Sequence, residues 1–220
     1  MSRLSILKYF VFLAFSSTII TGCFGNSSTP FIVEGDVLEP LRESRASWPA
    51  DDAGWVFKRG SNDDSPGWCD ANGFIEASVE EVWEALRDVD VVVERARVDE
   101  WSKVGSCDAE PFEECFDFFT HMSVMGVDID TIVTWRYDVQ KWVGDVPVKM
   151  VVRYQKSWGS DVIDRNTGSL VLEAIDDTKT RVEYVGEIET WGSEDSDAME
   201  SYARSLVADL EAFVEGKPLP

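Results

Sequence analysis

Phe74-Ile75-Glu76-Ala77-Ser78-Val79-Glu80-Glu81-Val82-Trp83-Glu84-Ala85-Leu86-Arg87-Asp88-Val89 is the stretch on which the fold turns. Ser78 followed three residues later by Glu81 reads as a capping box, in which the serine caps and the glutamate reaches back. Behind it Val79, Val82, Trp83 and Leu86 recur at helical spacing. The spacing predicts a helix over 78–88, with 89–93 adding a short second turn. Ahead of it, residues 68–77 read as a strand with a break at Asn72-Gly73. The turn-rich run Asn62-Asp63-Asp64-Ser65-Pro66-Gly67 and a short first strand at Trp55-Val56-Phe57 come before that.

Downstream, between 116 and 191, the apolar period changes to two. Val127, Ile129, Thr131, Val133, Trp135, Tyr137 and Val139 share one face, opposite Asp128, Asp130, Thr134, Arg136 and Asp138. The next strand sets Val146, Val148, Met150, Val152 and Tyr154 against Lys149, Arg153 and Gln155. Leu170, Leu172 and Ala174 follow, then Val182, Tyr184, Gly186 and Ile188 against Arg181, Glu183, Glu187 and Glu189. Such alternation predicts antiparallel strands that are dry on one side and wet on the other. Asp164-Arg165-Asn166-Thr167-Gly168 and Asp176-Asp177-Thr178-Lys179 suit the connecting turns. Met199, Tyr202, Ala203, Leu206, Leu210, Phe213 and Val214 then form the stripe of a long last helix, stopped by Gly216 and Pro218. The apolar sheet face needs a cover, and that stripe matches it.

Residues 74–89 resemble the opening strand and helix of START-like domains, the superfamily of polyketide cyclases and birch-pollen-allergen proteins. Gly168-Ser169-Leu170-Val171-Leu172 with Lys179-Thr180-Arg181-Val182-Glu183-Tyr184 resembles its last hairpin. The likeness covers about residues 54–216 and departs from the pattern between Arg95 and Cys115. It implies an α+β helix-grip fold: a curved antiparallel sheet wrapped around the long C-terminal helix, with a ligand cavity between them. Members commonly bind lipids, sterols or polyketides there, and some are enzymes. On that basis Phe118, Met122, Trp135, Tyr137, Met150, Tyr154, Tyr184, Leu206 and Leu210 are the expected cavity residues. A lipocalin-like barrel is the rival fold, and it would lack the early capped helix.

The sequence offers little for catalysis. His121 is the only histidine, and local spacing sets no carboxylate or nucleophile beside it. Asp128 and Asp130, like Glu187 and Glu189, fall on strand faces expected to be solvated. There is no phosphate loop, no Gly-x-Ser-x-Gly and no His-Glu-x-x-His. No cofactor or metal is expected. The first expectation is therefore a non-catalytic hydrophobic-ligand binder. The alternatives are a cyclase- or hydrolase-type enzyme using cavity residues, and an acidic module docking a periplasmic protein.

The other end of the chain carries an address. Arg3 and Lys8 precede an apolar run over 9–20, and Ile20-Thr21-Gly22-Cys23 follows. A run of 12 residues is too short for a helix across about 30 Å of hydrocarbon, which needs roughly 20, but fits a secretory signal peptide. Thr-Gly-Cys resembles the bacterial lipobox, so residues 1–22 read as a lipoprotein signal peptide and Cys23 as the lipidated residue. Residues 23–53 read as a flexible tether with one ordered patch around 31–41, residues 54–216 as the domain, and 217–220 as a tail. Phe24, and not aspartate, follows Cys23, which favours the outer over the inner membrane of the cell envelope. Losing Arg3 and Lys8 takes the formal charge from −22 to −24, and such a surface repels nucleic acid and anionic headgroups. Export permits disulfides. Cys107 with Cys115 is the first choice, closing a loop-like stretch; a bridge from Cys69 to either remains an alternative.

Overall fold

The computed structural model describes residues 25–31, 36–50, 54–62, 65–191 and 195–220. The signal-peptide and lipidation readings, Cys23 included, fall outside these residues. Among the described residues the strands are β1 (Asn26–Ser28), β2 (Trp55–Asn62), β3 (Ser65–Ile75), β4 (Glu100–Gly105), β5 (Glu114–Val124), β6 (Val127–Val143), β7 (Val146–Ser160), β8 (Ile163–Asp176) and β9 (Lys179–Thr190). The helices are α1 (Val79–Leu86), α2 (Val89–Val92) and α3 (Asp195–Val214). The strands form one antiparallel sheet in the order β2-β3-β9-β8-β7-β6-β5-β4, with β1 paired to the end of β7. This is the α+β helix-grip arrangement, with α3 as the gripped helix.

The capping box is present as read. Ser78 Oγ accepts from Glu81 N at 3.2 Å and Glu81 Oε2 accepts from Ser78 N at 2.8 Å. Asp88 then caps α2 by accepting from Asp90 N at 2.8 Å. The alternating strands put Ile75, Met150, Leu172 and Val182 on the concave side, where they bury against Val82 and Leu86 of α1 and Leu206 and Leu210 of α3. The departure between Arg95 and Cys115 holds an added edge strand, β4, and a loop closed by a Cys107–Cys115 disulfide. Cys69 is a free, fully buried thiol.

Three expectations need correction. First, β3 runs through Asn72-Gly73 without a break. Asn72 Nδ2 donates to Ala46 O at 2.8 Å, and Gly73 is there because a Cβ would collide with the Trp55 ring. Second, Asp164–Gly168 is not a turn but lies inside β8. The chain reverses earlier, at Asp161-Val162, where the buried Lys156 ammonium donates to both Ser160 O and Ile163 O. Third, the described part of the expected tether is held against the domain. β1 pairs with Trp158–Ser160 where β7 and β8 have parted.

Residues 38–46 cross the outer sheet face as a strap, over β6, β7, β8, β9 and β3 in order. Leu38 N donates to Asp138 Oδ2 (3.1 Å), Arg153 Nη1 to Glu39 O (3.1 Å) and Leu41 N to Ser169 Oγ (3.0 Å). Ser44 N donates to Glu183 Oε1 (3.1 Å) and Arg45 N to Asp70 Oδ2 (2.7 Å). Much of the face read as wet therefore serves as an acceptor array for the strap's backbone. Leu38 also fills a small second core with Val151 and Phe112. The tail is held too: Lys217 N donates to Ala212 O at 2.8 Å, and Arg95 Nη2 to Pro220 O at 3.1 Å.

The strap is locked by Arg42. Its guanidinium makes two 2.7 Å bonds to the carboxylate of Asp70, whose side chain is fully buried. Removing one partner of such a pair strands a buried charge, at a cost of roughly 3–5 kcal/mol. Arg42 keeps some solvent contact, so Arg42→Ala is expected to lower unfolding free energy in urea by about 3 kcal/mol. A loss below about 0.5 kcal/mol, the range of an ordinary surface substitution, would show that the strap is no part of the cooperative domain.

Candidate ligand cavity

The concave side divides into two halves along the strands. At the end bearing α1 the space is solid. Tyr137, Met150, Leu206 and Leu210 are fully or nearly fully buried there, and the Tyr137 hydroxyl donates to Leu86 O at 2.7 Å. At the opposite end, between the first turns of α3 and the ends of β5 to β9, lies a cavity of about 700 Å³. That is within the usual range of small-molecule pockets.

An aromatic wall separates the halves. Trp135 stacks on Tyr154 at 4.8 Å, and Phe118 leans on Trp135 at 6.1 Å. The Tyr154 and Tyr184 hydroxyls share a hydrogen bond of 2.8 Å. β8 runs between those two strands, and the rings can meet only because it presents Gly168. A Cβ there would collide with Tyr154, and one at Gly186 with the Tyr184 hydroxyl. Tyr202 of α3 closes over both rings, and its hydroxyl donates to Val92 O at 3.0 Å. Burial pushes the phenols of Tyr137, Tyr154, Tyr184 and Tyr202 upward, so they remain neutral donors.

The remaining lining is mostly apolar: Val92, Val93, Val98, Met122, Ile129, Val133, Ile163, Ile188 and Met199. Its polar groups are few. Glu94 Oε1 accepts from Ser201 Oγ at 2.7 Å and pairs with Arg97 Nε at 2.9 Å. Burial pushes the Glu94 carboxyl above the ordinary glutamate range, against the opposing pull of Ser201 and Arg97. Thr120 and Thr131 satisfy one another at 2.7 Å. Asn166 Oδ1 is buried with no hydrogen-bond partner among the described residues.

Of the nine residues expected from the sequence, Phe118, Met122, Trp135 and Tyr154 line this cavity. Tyr137, Met150, Tyr184, Leu206 and Leu210 do not. They belong to the packed core, because α1 and α3 close down on that half of the sheet. Ile129, Thr131, Val133, Met199 and Tyr202 were legible from the same alternation and stripe. Glu94 and Arg97 carried no signal, since they sit in the non-periodic segment after α2. His121 points away from the cavity and bonds Asp130 Oδ1 through Nδ1 at 2.7 Å. Asp128 accepts from Ser123 Oγ at 2.6 Å.

No family model and no curated protein matches this chain by sequence. Solved structures do match by fold. The STAR-related lipid transfer protein from Xanthomonas axonopodis is 16% identical over 79% of this chain and 99% of that one, with a TM-score of 0.55. Human STARD10 is 8% identical over 78% of this chain and 73% of that one, with a TM-score of 0.51. Likeness at these identities establishes a START-like fold.

The lone histidine provides a clean check of the outer-face geometry. The hydrogen bond to Asp130 holds the His121 imidazolium above the usual 6.5, so NMR titration should place it there and Asp130→Asn should return it. By linkage the pair favours the folded chain below the ordinary histidine pKa, and this contribution fades as pH rises through the raised one. A His121 titration indifferent to Asp130→Asn would contradict the pairing.

Proposed function

We propose that this protein holds a hydrophobic small molecule with one polar end, of lipid kind, in the sheet-helix cavity and performs no chemistry on it. The observation that carries the reading is the cavity of about 700 Å³, walled off from the core and lined mainly by apolar side chains. A guest's apolar part would lie against Met122, Ile129, Val133 and Met199, where it leaves water as it enters. Its polar end would meet Glu94 and Arg97, or Asn166 Oδ1. The likeness to a protein whose name is lipid transfer supports the same class of guest.

The second reading, an enzyme, has one observation behind it: the raised carboxyl of Glu94 inside the cavity. Ser201 and Arg97 both donate to that carboxyl and favour its charged form, which suits an anchor for a hydroxyl or amine better than a proton donor. We place the protein in the cell envelope, attached to a membrane, the outer one by preference, through lipid on Cys23. A surface of formal charge −24 without Arg3 and Lys8 would not bind anionic headgroups by itself.

Native mass spectrometry of residues 23–220, extracted into volatile buffer, is expected to show a bound molecule of lipid mass. Val133→Trp, which projects an indole from β6 into the cavity, should abolish that mass while leaving the far-ultraviolet circular dichroism spectrum unchanged. A ligand-free protein that also takes up no fluorescent fatty acid or sterol would overturn the reading. So would a guest that Val133→Trp leaves in place.

A further inference from the structure

We infer that the lipid anchor leaves the chain at the rim of the cavity, so that the mature N-terminus holds the opening against the bilayer. This rests on the anchoring reading above and adds to it which end of the domain faces the lipid.

The geometry comes from β1. Asn26, Ser27 and Ser28 pair with Ser160, Gly159 and Trp158, and Asp161 N donates to Gly25 O at 2.9 Å. Residue 25 therefore lies beside the β7–β8 turn, whose Val162 and Ile163 line the cavity. Cys23 is two residues upstream of Gly25, and two residues span at most about 7 Å. An acyl group on Cys23 must start from this rim. A flexible tether of some 30 residues would have imposed no such orientation.

The same rim is built for an apolar contact. Met125 at the β5–β6 turn is fully exposed, and Val124 beside it is half-exposed. Met125 has φ 53°, a left-handed conformation that favours Asn or Gly, so a bulky apolar residue sits there at a conformational cost. Trp191 is exposed over three-quarters of its surface, and its backbone N–H donates to Val162 O at 2.9 Å, which ties it to the β7–β8 turn. Tryptophan suits the boundary between headgroups and acyl chains. Asp128, Asp161 and Asp164 accompany these residues, so the surface fits a zwitterionic bilayer and repels an anionic one. The opposite end of the sheet also exposes apolar side chains, Trp142, Val143 and Val146. The position of β1 is what decides between the two ends.

The experiment couples residues 23–220 through Cys23 to maleimide-headgroup lipid in phosphatidylcholine vesicles containing acyl-brominated lipid. Cys107 and Cys115 are bonded, and the buried Cys69 thiol is pushed up to about 12, so Cys23 takes the label. Bromine should quench tryptophan emission, and Trp191→Phe should remove most of the quenching. A chain anchored from the far end, through Asp145→Cys with Cys23→Ser, should show no Trp191-dependent quenching. Equal quenching with and without Trp191, or from either anchor, would overturn the orientation. So would a dimer in sedimentation that Met125→Asp dissociates, because the rim would then belong to a second copy. In bacterial cells expressing residues 1–220, labelled palmitate should attach to the chain and be lost in Cys23→Ala. Absence of label would overturn the anchoring reading and this inference together. Label with Trp191-independent quenching would overturn the orientation alone.

Discussion

The hydrogen bond between the Tyr154 and Tyr184 hydroxyls, 2.8 Å long and fully buried, fixes where the core ends and the cavity begins. A curved sheet with one apolar face tends to collapse onto whatever covers it. Here collapse is complete on the α1 side and is stopped on the other by rings that cannot be compressed. Trp135, Tyr154, Tyr184 and Tyr202 stand between sheet and helix, and the three tyrosine hydroxyls are satisfied, those of Tyr154 and Tyr184 by one another and that of Tyr202 by Val92 O. Burying phenols without partners would cost free energy. Satisfied, they hold α3 away from β5 and β6 and keep the space open. Gly168 and Gly186 are the local conditions for this wall, since any side chain there would displace a tyrosine.

The outer face obeys the same need for satisfied polar groups. An antiparallel sheet can leave one face wet, but this one binds its own upstream chain across it. Asp70 is the extreme case, a carboxylate with no exposed side-chain surface that is matched by both Arg42 Nη atoms and Arg45 N. Arg45 in turn lies over the Trp68 ring at 4.3 Å, and Arg181 over Trp48 at 3.8 Å. The strap and β1 therefore tie the described upstream residues to the domain, β1 at the β7–β8 turn and residues 38–46 from β6 to β3. Gly25 is thereby held beside the β7–β8 turn, at the end of the sheet that bears the cavity.

The elements that bury a regular face were legible in the sequence. Alternation over 127–139 and 182–188, the Ser78–Glu81 box and the stripe from Met199 to Val214 each predicted what is present, and the family likeness assembled them. The strap was hidden because its contacts are backbone donors meeting outward-facing acids, and composition alone makes residues 25–50 look like linker. The division of the concave face was hidden for a related reason. Tyr137 and Tyr154 carry the same alternation signal, and only the placement of α1 decides that one is packed and the other faces open space. Glu94 and Arg97, the charged pair of the cavity, stand in a segment with no period to read.

On the proposed reading the concave side is half core and half ligand site. Methyl-¹³C methionine NMR tests it directly, because Met122 and Met199 line the cavity while Met150 is fully buried in the packed half. Stripping the bound molecule with a hydrophobic resin, then restoring it, should move the Met122 and Met199 methyl resonances reversibly and leave that of Met150 in place. Met122 and Met199 signals indifferent to the treatment, or a Met150 signal that moves as far as theirs, would contradict the account.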